Sequence, residues 1–426
     1  MTKKTKLNTK ILIQGLSGNI LEWYDFALYG YFASKISILF FPSESSYKSM
    51  IMTYTVFAIG LFMRPLGGII FGYLGDKYGR VKSLIYSIFL MAIPTCIIGI
   101  LPTYESIGIW SSIILTLCRF FQGIAVGGEF TCSMVYVIEH SPSDKRGLYG
   151  SCIMLSAFVG ILLGSAICGL VDFLSSNTSA ADWAWRVPFI SGMLLLFVGS
   201  YYRRSMTETP EFQKISNNTT KQISPLKEVF SKHPKVTLHA TLLVMLPAMS
   251  FYLIFVYLTT YIEKYLKVSL SSSLTMNSIS MFLMIIAVPI FGFISDIYQR
   301  KGIMLIGTLG FVLLSYPLFL LLLKGTPVFI LLSQCIFAIL IAMIYSVVPT
   351  ILFEMFDTSI RCTAVAIPYN IANSVFGGTS PLISTILVNQ IGNFGPCIYL
   401  IVISLAALPG IILLKRNNHL LTTKSI

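Results

Sequence analysis

Five charged side chains stand inside long apolar stretches of the chain: Glu22, Asp25, Arg64, Arg119 and Glu129. A charge at the middle of a bilayer costs about 2.5–3.5 kcal/mol on insertion scales, so such residues usually serve function. Three carboxylates against two guanidiniums leave one excess acid. An acid without a counter-charge in apolar surroundings holds a proton more readily, so it can bind one on one side of a membrane and release it on the other. The guanidiniums stay protonated and cannot do this, but they can clamp carboxylates. Static ion pairs that merely join helices are the alternative reading. The four histidines (140, 233, 239 and 419) fall near one membrane surface, so no His relay within the membrane is expected.

Spacing places these groups together. Asn19, Glu22, Asp25 and Tyr29 drift slowly along one side of a helix, and Arg119, Gln122 and Glu129 do the same on another. Glu22 lies 12 residues beyond Lys10 and Arg64 lies 12 before Asp76. At 1.5 Å per residue both sit about 18 Å from the same side. Asp25 and Arg119 match nearer the other side. No ionisable residue lies deep in any helix of the second half.

The elements that must carry these residues follow from composition. The chain has 426 residues, 55% hydrophobic and only 11% charged, against about 25% charged in a soluble domain. Its mean hydropathy is +0.80. A soluble enzyme, a disordered protein and a coiled-coil rod are excluded, and the long apolar runs exclude a membrane barrel, whose strands alternate. Apolar segments near 11–34, 51–74, 83–101, 109–138, 148–171 and 186–202 are followed by six more near 236–262, 273–295, 303–323, 327–353, 363–388 and 394–414. Each can cross about 30 Å of hydrocarbon. The expected fold is an all-α membrane protein of twelve transmembrane helices, with a six-helix bundle over 1–202, a central loop over 203–235 and a second bundle with a short tail over 236–426. The N-terminus superficially resembles a signal peptide, but Glu22 and Asp25 interrupt the apolar region and no small-residue cleavage site follows, so it reads as an uncleaved first helix.

Orientation comes from the basic residues. Alternate loops and the termini hold 22 Lys and Arg, the opposite side only 5, which places both termini and the central loop in the cytoplasm. The net charge of +13 is thereby explained without nucleic acid. The eight cysteines form no C-x-x-C pair or Cys/His metal spacing and read as buried thiols. No metal site and no cofactor are expected beyond a coupling proton.

The loop after the second helix contains Gly72, Asp76, Lys77, Gly79, Arg80 and Lys82; the loop after the eighth contains Gly292, Asp296, Arg300 and Lys301. A repeated G-x-x-x-D with trailing basic residues, in a six-plus-six array, resembles the major facilitator superfamily of secondary transporters. The second copy is degraded, with Ile297 and Gln299 where a basic residue and a glycine stand in the pattern, and is expected to matter less. Gly18-Asn19-Ile-Leu-Glu22-Trp23-Tyr24-Asp25-Phe26, Arg64-Pro-Leu-Gly-Gly and Arg119-Phe-Phe-Gln122-Gly-Ile-Ala-Val-Gly127-Gly128-Glu129 narrow the resemblance. So do Trp185-Arg186-Val-Pro-Phe, Glu208-Thr-Pro-Glu-Phe, and Tyr369-Asn370 followed by Phe376-Gly-Gly-Thr-Ser-Pro381. These stretches, spread from about 15 to about 410, are similar to the proton symporters for small metabolites, the group containing proline/betaine transporters.

The resemblance implies alternating access in a bacterial inner membrane, helices 1, 4, 7 and 10 around a central cavity, and proton-coupled uptake of a zwitterionic osmolyte. The substrate and proton groups are then Glu22, Asp25, Tyr29, Arg64, Arg119, Gln122, Glu129, Tyr369 and Asn370. Arg119 is expected to hold a carboxylate, while Asp25 and aromatic faces hold the ammonium. A di- or tricarboxylate symporter clamping its substrate with Arg64 and Arg119 is the alternative. Gly72, Asp76, Arg80, Gly292, Asp296 and Arg300 are the expected cytoplasmic gate. An integral-membrane enzyme would need a nucleophile–base pair or a metal cluster, and a receptor a sizeable external domain; the sequence offers neither. The tail after Arg416 is too short for three heptads, so no coiled-coil dimer is expected and one chain should form the transport unit.

Overall fold

The structure is a computed structural model that describes residues 9–175, 183–192, 197, 201, 205–216 and 225–414. Among these residues there are helices and connecting turns and no strand. Among the described residues ten helices are long and apolar enough to cross a membrane, from Ile51–Tyr78 to Gly395–Ile412. The first helix, Thr9–Tyr31, is long enough as well, but Gln14, Asn19, Glu22 and Asp25 make it more polar. About half of the segment near 186–202 lies outside the described residues, as do residues 415–426, on which the expectation about the tail falls.

Prolines and glycines shape the spans locally. The second span is interrupted at Met63, just before Pro65, and divides into Ser46–Phe62 and Arg64–Tyr78. Proline has no amide to donate and its ring disturbs the preceding turn, so the break falls beside Arg64. Two other spans widen into π-helical turns, Tyr252–Tyr257 and Asn373–Gly377. Each begins five residues after a proline, Pro247 and Pro368, beyond the turn that the proline itself disturbs.

By proximity the chain divides into two compact units. One comprises Met1–His140, Ser156–Lys232 and Asp357–Asn370; the other comprises Ser141–Leu155, His233–Phe356 and Ile371–Ile426. The first unit therefore contains the opening turns of the Arg361–Ala372 helix, and the second those of Arg146–Ser175.

Within the first unit the Ile109–Glu139 helix lies against Ser46–Phe62 and Arg64–Tyr78 with backbones in contact. A Cβ on Gly123 would fall onto the backbone of Gly60, one on Gly127 onto that of Arg64, and one on Gly67 onto that of Ile124. Small residues at such crossings replace side-chain packing by backbone packing. An aromatic cluster including Tyr24, Tyr29, Phe32, Phe40, Trp185 and Phe189 fills the space beside them. In the second unit, Phe282, Ile286, Ile290 and Phe293 form an exposed apolar stripe at helical spacing, as expected of a lipid-facing side.

Candidate substrate and proton site

Arg119 sits on the Ile109–Glu139 helix with no exposed surface. Its guanidinium lies over three aromatic rings, Tyr29 at 4.5 Å, Phe26 at 4.7 Å and Phe57 at 5.4 Å. Nη1 donates to Gln122 Oε1 at 2.9 Å, while Nε and Nη2 are buried without a hydrogen-bond partner. Tyr29 is itself fixed, its hydroxyl donating to the Thr53 carbonyl at 3.1 Å. Gln122 continues the chain: its Nε2 donates to Thr95 Oγ1 at 2.7 Å, and that oxygen lies 3.2 Å from Asp25 Oδ2. Arg119 and Asp25 are thus joined through two neutral side chains.

Arg64 occupies a second box. It is fully buried, with its guanidinium 5.4 Å from the Trp23 ring and 5.9 Å from the Tyr369 ring. Nε donates to Asn370 Oδ1 at 3.2 Å, and the Asn370 amide is anchored on the carbonyls of Gly127 and Ala366 at 2.7 and 2.9 Å. Tyr369 stacks on Phe130 with ring centroids 4.6 Å apart. Arg64 Nη1 and Nη2 and the Trp23 indole Nε1 are buried without hydrogen-bond partners. A buried donor left unsatisfied is costly, and these donors point to an anionic group as their natural partner.

The three acids converge. Glu22, Asp25 and Glu129 line one cavity, with Gly18, Ser87, Met91 and Gly192 among its walls. Each is 3% exposed. Glu129 accepts a hydrogen bond from Ser87. Asp25 Oδ1 has no hydrogen-bond partner, and a Cβ on Gly192 would sit 3.2 Å from it. The shared helix faces read from the sequence therefore carry these acids to a single space. Every predicted substrate and proton residue, including Tyr369 and Asn370, lies in the first compact unit.

The predicted gate residues build two matching arrangements, one in each unit. Asp76 accepts the amide hydrogens of Cys362 at 3.0 Å and Thr363 at 2.8 Å, capping the Arg361–Ala372 helix, and its carboxylate lies 3.7 Å from Arg80. Arg80 bonds Glu139 through Nε and Nη2, both at 3.2 Å. In the second unit Asp296 accepts the amides of Gly147 at 2.6 Å and Leu148 at 2.9 Å, capping the Arg146–Ser175 helix. Arg300 lies 3.6 Å from Asp296 and 3.1 Å from Glu354. A carboxylate at a helix N-terminus meets free amides and the positive end of the dipole. The glycines permit the approach: a Cβ on Gly72 would lie 2.8 Å from Thr363 Cα, and one on Gly292 would fall onto Ser151. The second copy, though degraded at Ile297 and Gln299, keeps the acid, the arginine and both amide bonds.

Sequence reasoning passed over several residues. Glu139 and Glu354 end long helices and look like ordinary interfacial acids, yet each holds an arginine that opens another helix, Arg80 or Arg300, and their matched positions in the two halves were a usable signal. Arg361 looks like one more cytoplasmic basic residue, although its Nη1 bonds both Glu139 at 3.0 Å and Glu211 at 2.5 Å. Glu208, in the Glu208-Thr-Pro-Glu-Phe motif, accepts the amides of Arg80 and Val81 at 3.1 and 3.2 Å. Thr95 and Ser87 gave no signal. Among the described cysteines Cys96, Cys152 and Cys335 are partly exposed and the other five buried.

A polytopic helical bundle with acids and guanidiniums enclosed in its interior is the architecture of a membrane transporter. The Major Facilitator Superfamily family model matches residues 18–367 and, overlapping, 240–425. The chain belongs to this superfamily and is a transporter, not an enzyme. It is 32% identical over 411 residues to the proline/betaine transporter of Escherichia coli strain K12, covering 94% of this chain and 82% of that one. It is also 32% identical over 420 residues to the glycine betaine/proline/ectoine/pipecolic acid transporter OusA of Dickeya dadantii, covering 96% and 84%. Among solved structures, the proton:xylose symporter XylE bound to 6-bromo-6-deoxy-D-glucose superposes with a TM-score of 0.82 at 18% identity, over 96% of each chain. That likeness concerns the fold.

Proposed function

We propose that this transporter takes up a small zwitterionic osmolyte, proline or glycine betaine, together with protons, by alternating access. One observation carries the reading. Two buried guanidiniums each keep two N–H-bearing nitrogens without hydrogen-bond partners, while three carboxylates share a cavity in the same unit. A zwitterion needs a cation for its carboxylate. Its ammonium needs aromatic faces or an acid, and a quaternary ammonium, which cannot donate a hydrogen bond, leans on the aromatic faces most. Arg119 or Arg64 offers the first; Tyr29, Phe26, Trp23 and Tyr369 offer faces, and Asp25 offers charge. The excess acid supplies a proton site. The names of the relatives, proline/betaine transporter and OusA, support the substrate class.

On this reading the chain forms two six-helix bundles, 1–202 and 236–426, joined by 203–235, and lies in a bacterial inner membrane with both termini in the cytoplasm. Asp76 and Asp296 then gate the cytoplasmic ends, no cofactor beyond the proton takes part, and a single chain is the transport unit. Counterflow and gradient-driven uptake in proteoliposomes test it. Glycine betaine and proline should exchange, and a protonophore should abolish accumulation without preventing exchange. Accumulation that survives the protonophore but needs sodium overturns proton coupling; competition by 2-oxoglutarate but not by betaine overturns the zwitterion.

A further inference from the structure

We propose that the Thr95 hydroxyl is a positioning group through which the ionisation of Asp25 is read by Arg119; the proposal rests on Asp25 acting as a coupling acid. Thr95 lies within the Arg80–Ile100 helix, and three groups meet at its single side-chain oxygen. Gln122 Nε2 donates to that oxygen at 2.7 Å, the Met91 carbonyl lies 2.9 Å away and Asp25 Oδ2 lies 3.2 Å away. A hydroxyl carries one proton, so it donates to Met91 or to Asp25 but not to both.

Ionised Asp25 is the stronger acceptor, and the hydroxyl then turns to it. Protonated Asp25 is neutral, and the hydroxyl returns to the Met91 carbonyl four residues back, the ordinary partner of a helical threonine. The lone pair offered to Gln122 turns with it. Gln122 holds Arg119 Nη1 through its other amide atom at 2.9 Å, so the guanidinium's hold on its own helix depends on where the Thr95 proton points. No direct hydrogen bond links Asp25 with Arg119, and Thr95 is the one hydrogen-bond donor to the Asp25 carboxylate among the described residues. The other titratable groups facing this carboxylate are Glu22 and Glu129 across the cavity, Tyr24 on its own helix and Cys96 beside Thr95.

Thr95→Val removes the hydroxyl at nearly constant volume, and Thr95→Ser keeps it. In proteoliposomes proton-driven accumulation should fall at least tenfold in the valine variant, with the KM for exchange changed by less than threefold, and serine should restore accumulation to within threefold. Without substrate, the carboxyl infrared band missing from Asp25→Asn marks protonated Asp25. In Thr95→Val that band should persist to a pH about one unit higher, since a donor to the charged form is gone. An unmoved band, or a serine variant as impaired as the valine one, overturns the proposal. If the parent protein accumulates substrate in the presence of a protonophore, proton coupling falls, while the infrared midpoint still decides whether this hydroxyl acts on Asp25.

Discussion

Replacing Asp76 with asparagine tests the helix cap directly. Each carboxylate oxygen accepts one backbone amide, from Cys362 at 3.0 Å and Thr363 at 2.8 Å. Asparagine keeps one acceptor and turns an NH2 group toward the other amide, leaving two donors face to face in a site where Asp76 is 4% exposed. Losing a hydrogen bond to a charged, buried partner costs about 1.5–3 kcal/mol. Removing the charge from a helix N-terminus costs about 0.3–1 kcal/mol more. The sum, about 3 kcal/mol, shifts the docking of the Arg361–Ala372 helix by about a hundredfold. Cys362 is fully buried at that junction, which makes it the reporter. In a protein retaining Cys362 as its sole cysteine, alkylation by a membrane-permeant maleimide should run about a hundredfold faster in Asp76→Asn, with slower transport and near-normal expression. A matching protein retaining only Cys397, also fully buried but in the Gly395–Ile412 helix, should show no acceleration. Equal labelling of Cys362 in parent and variant, or equal acceleration at both cysteines, would refute the reasoning.

Asp296→Asn loses the same kind of bonds to Gly147 and Leu148, so transport should slow to within a few fold of Asp76→Asn; a silent variant would mean the second cap carries no load. Arg64→Lys keeps the charge but loses the planar fork, and the KM for substrate carboxylate should rise about tenfold or more, measured by exchange. Glu129→Gln should lower the ratio of proton-driven accumulation to exchange at least tenfold, and a preserved ratio would remove Glu129 from the coupling path.

Much of this arrangement was legible in the sequence because membranes impose strong patterns. Apolar runs mark the spans, and charge within them marks Arg64, Arg119 and the three acids. Where reading stopped, the cause was chemical degeneracy. A threonine in an apolar helix commonly bonds its own preceding turn, and Thr95 has that contact with Met91, so nothing in the sequence announces its second acceptor. Glu139 and Glu354 look like ordinary helix ends because their partners, Arg80 and Arg300, open other helices remote in the chain. The widened turns at Tyr252–Tyr257 and Asn373–Gly377 were invisible too, since they lie beyond the turns that Pro247 and Pro368 disturb.

The glycine contacts between the second and fourth spans have a consequence for how affinity can change during a transport cycle. Arg64 and Arg119 ride on helices whose backbones touch at Gly60, Gly67, Gly123 and Gly127, leaving no soft side-chain layer on which one helix could slide past the other. The backbones that carry the two cations are therefore mounted on one closely packed frame. A site built on such a frame would not loosen its grip by sliding one helix past the other. If substrate is held by these arginines, as proposed, release would then come from a change in charge or in the groups that close over the ligand, and the acids beside the frame, rather than the spacing of the arginines, would set when substrate leaves.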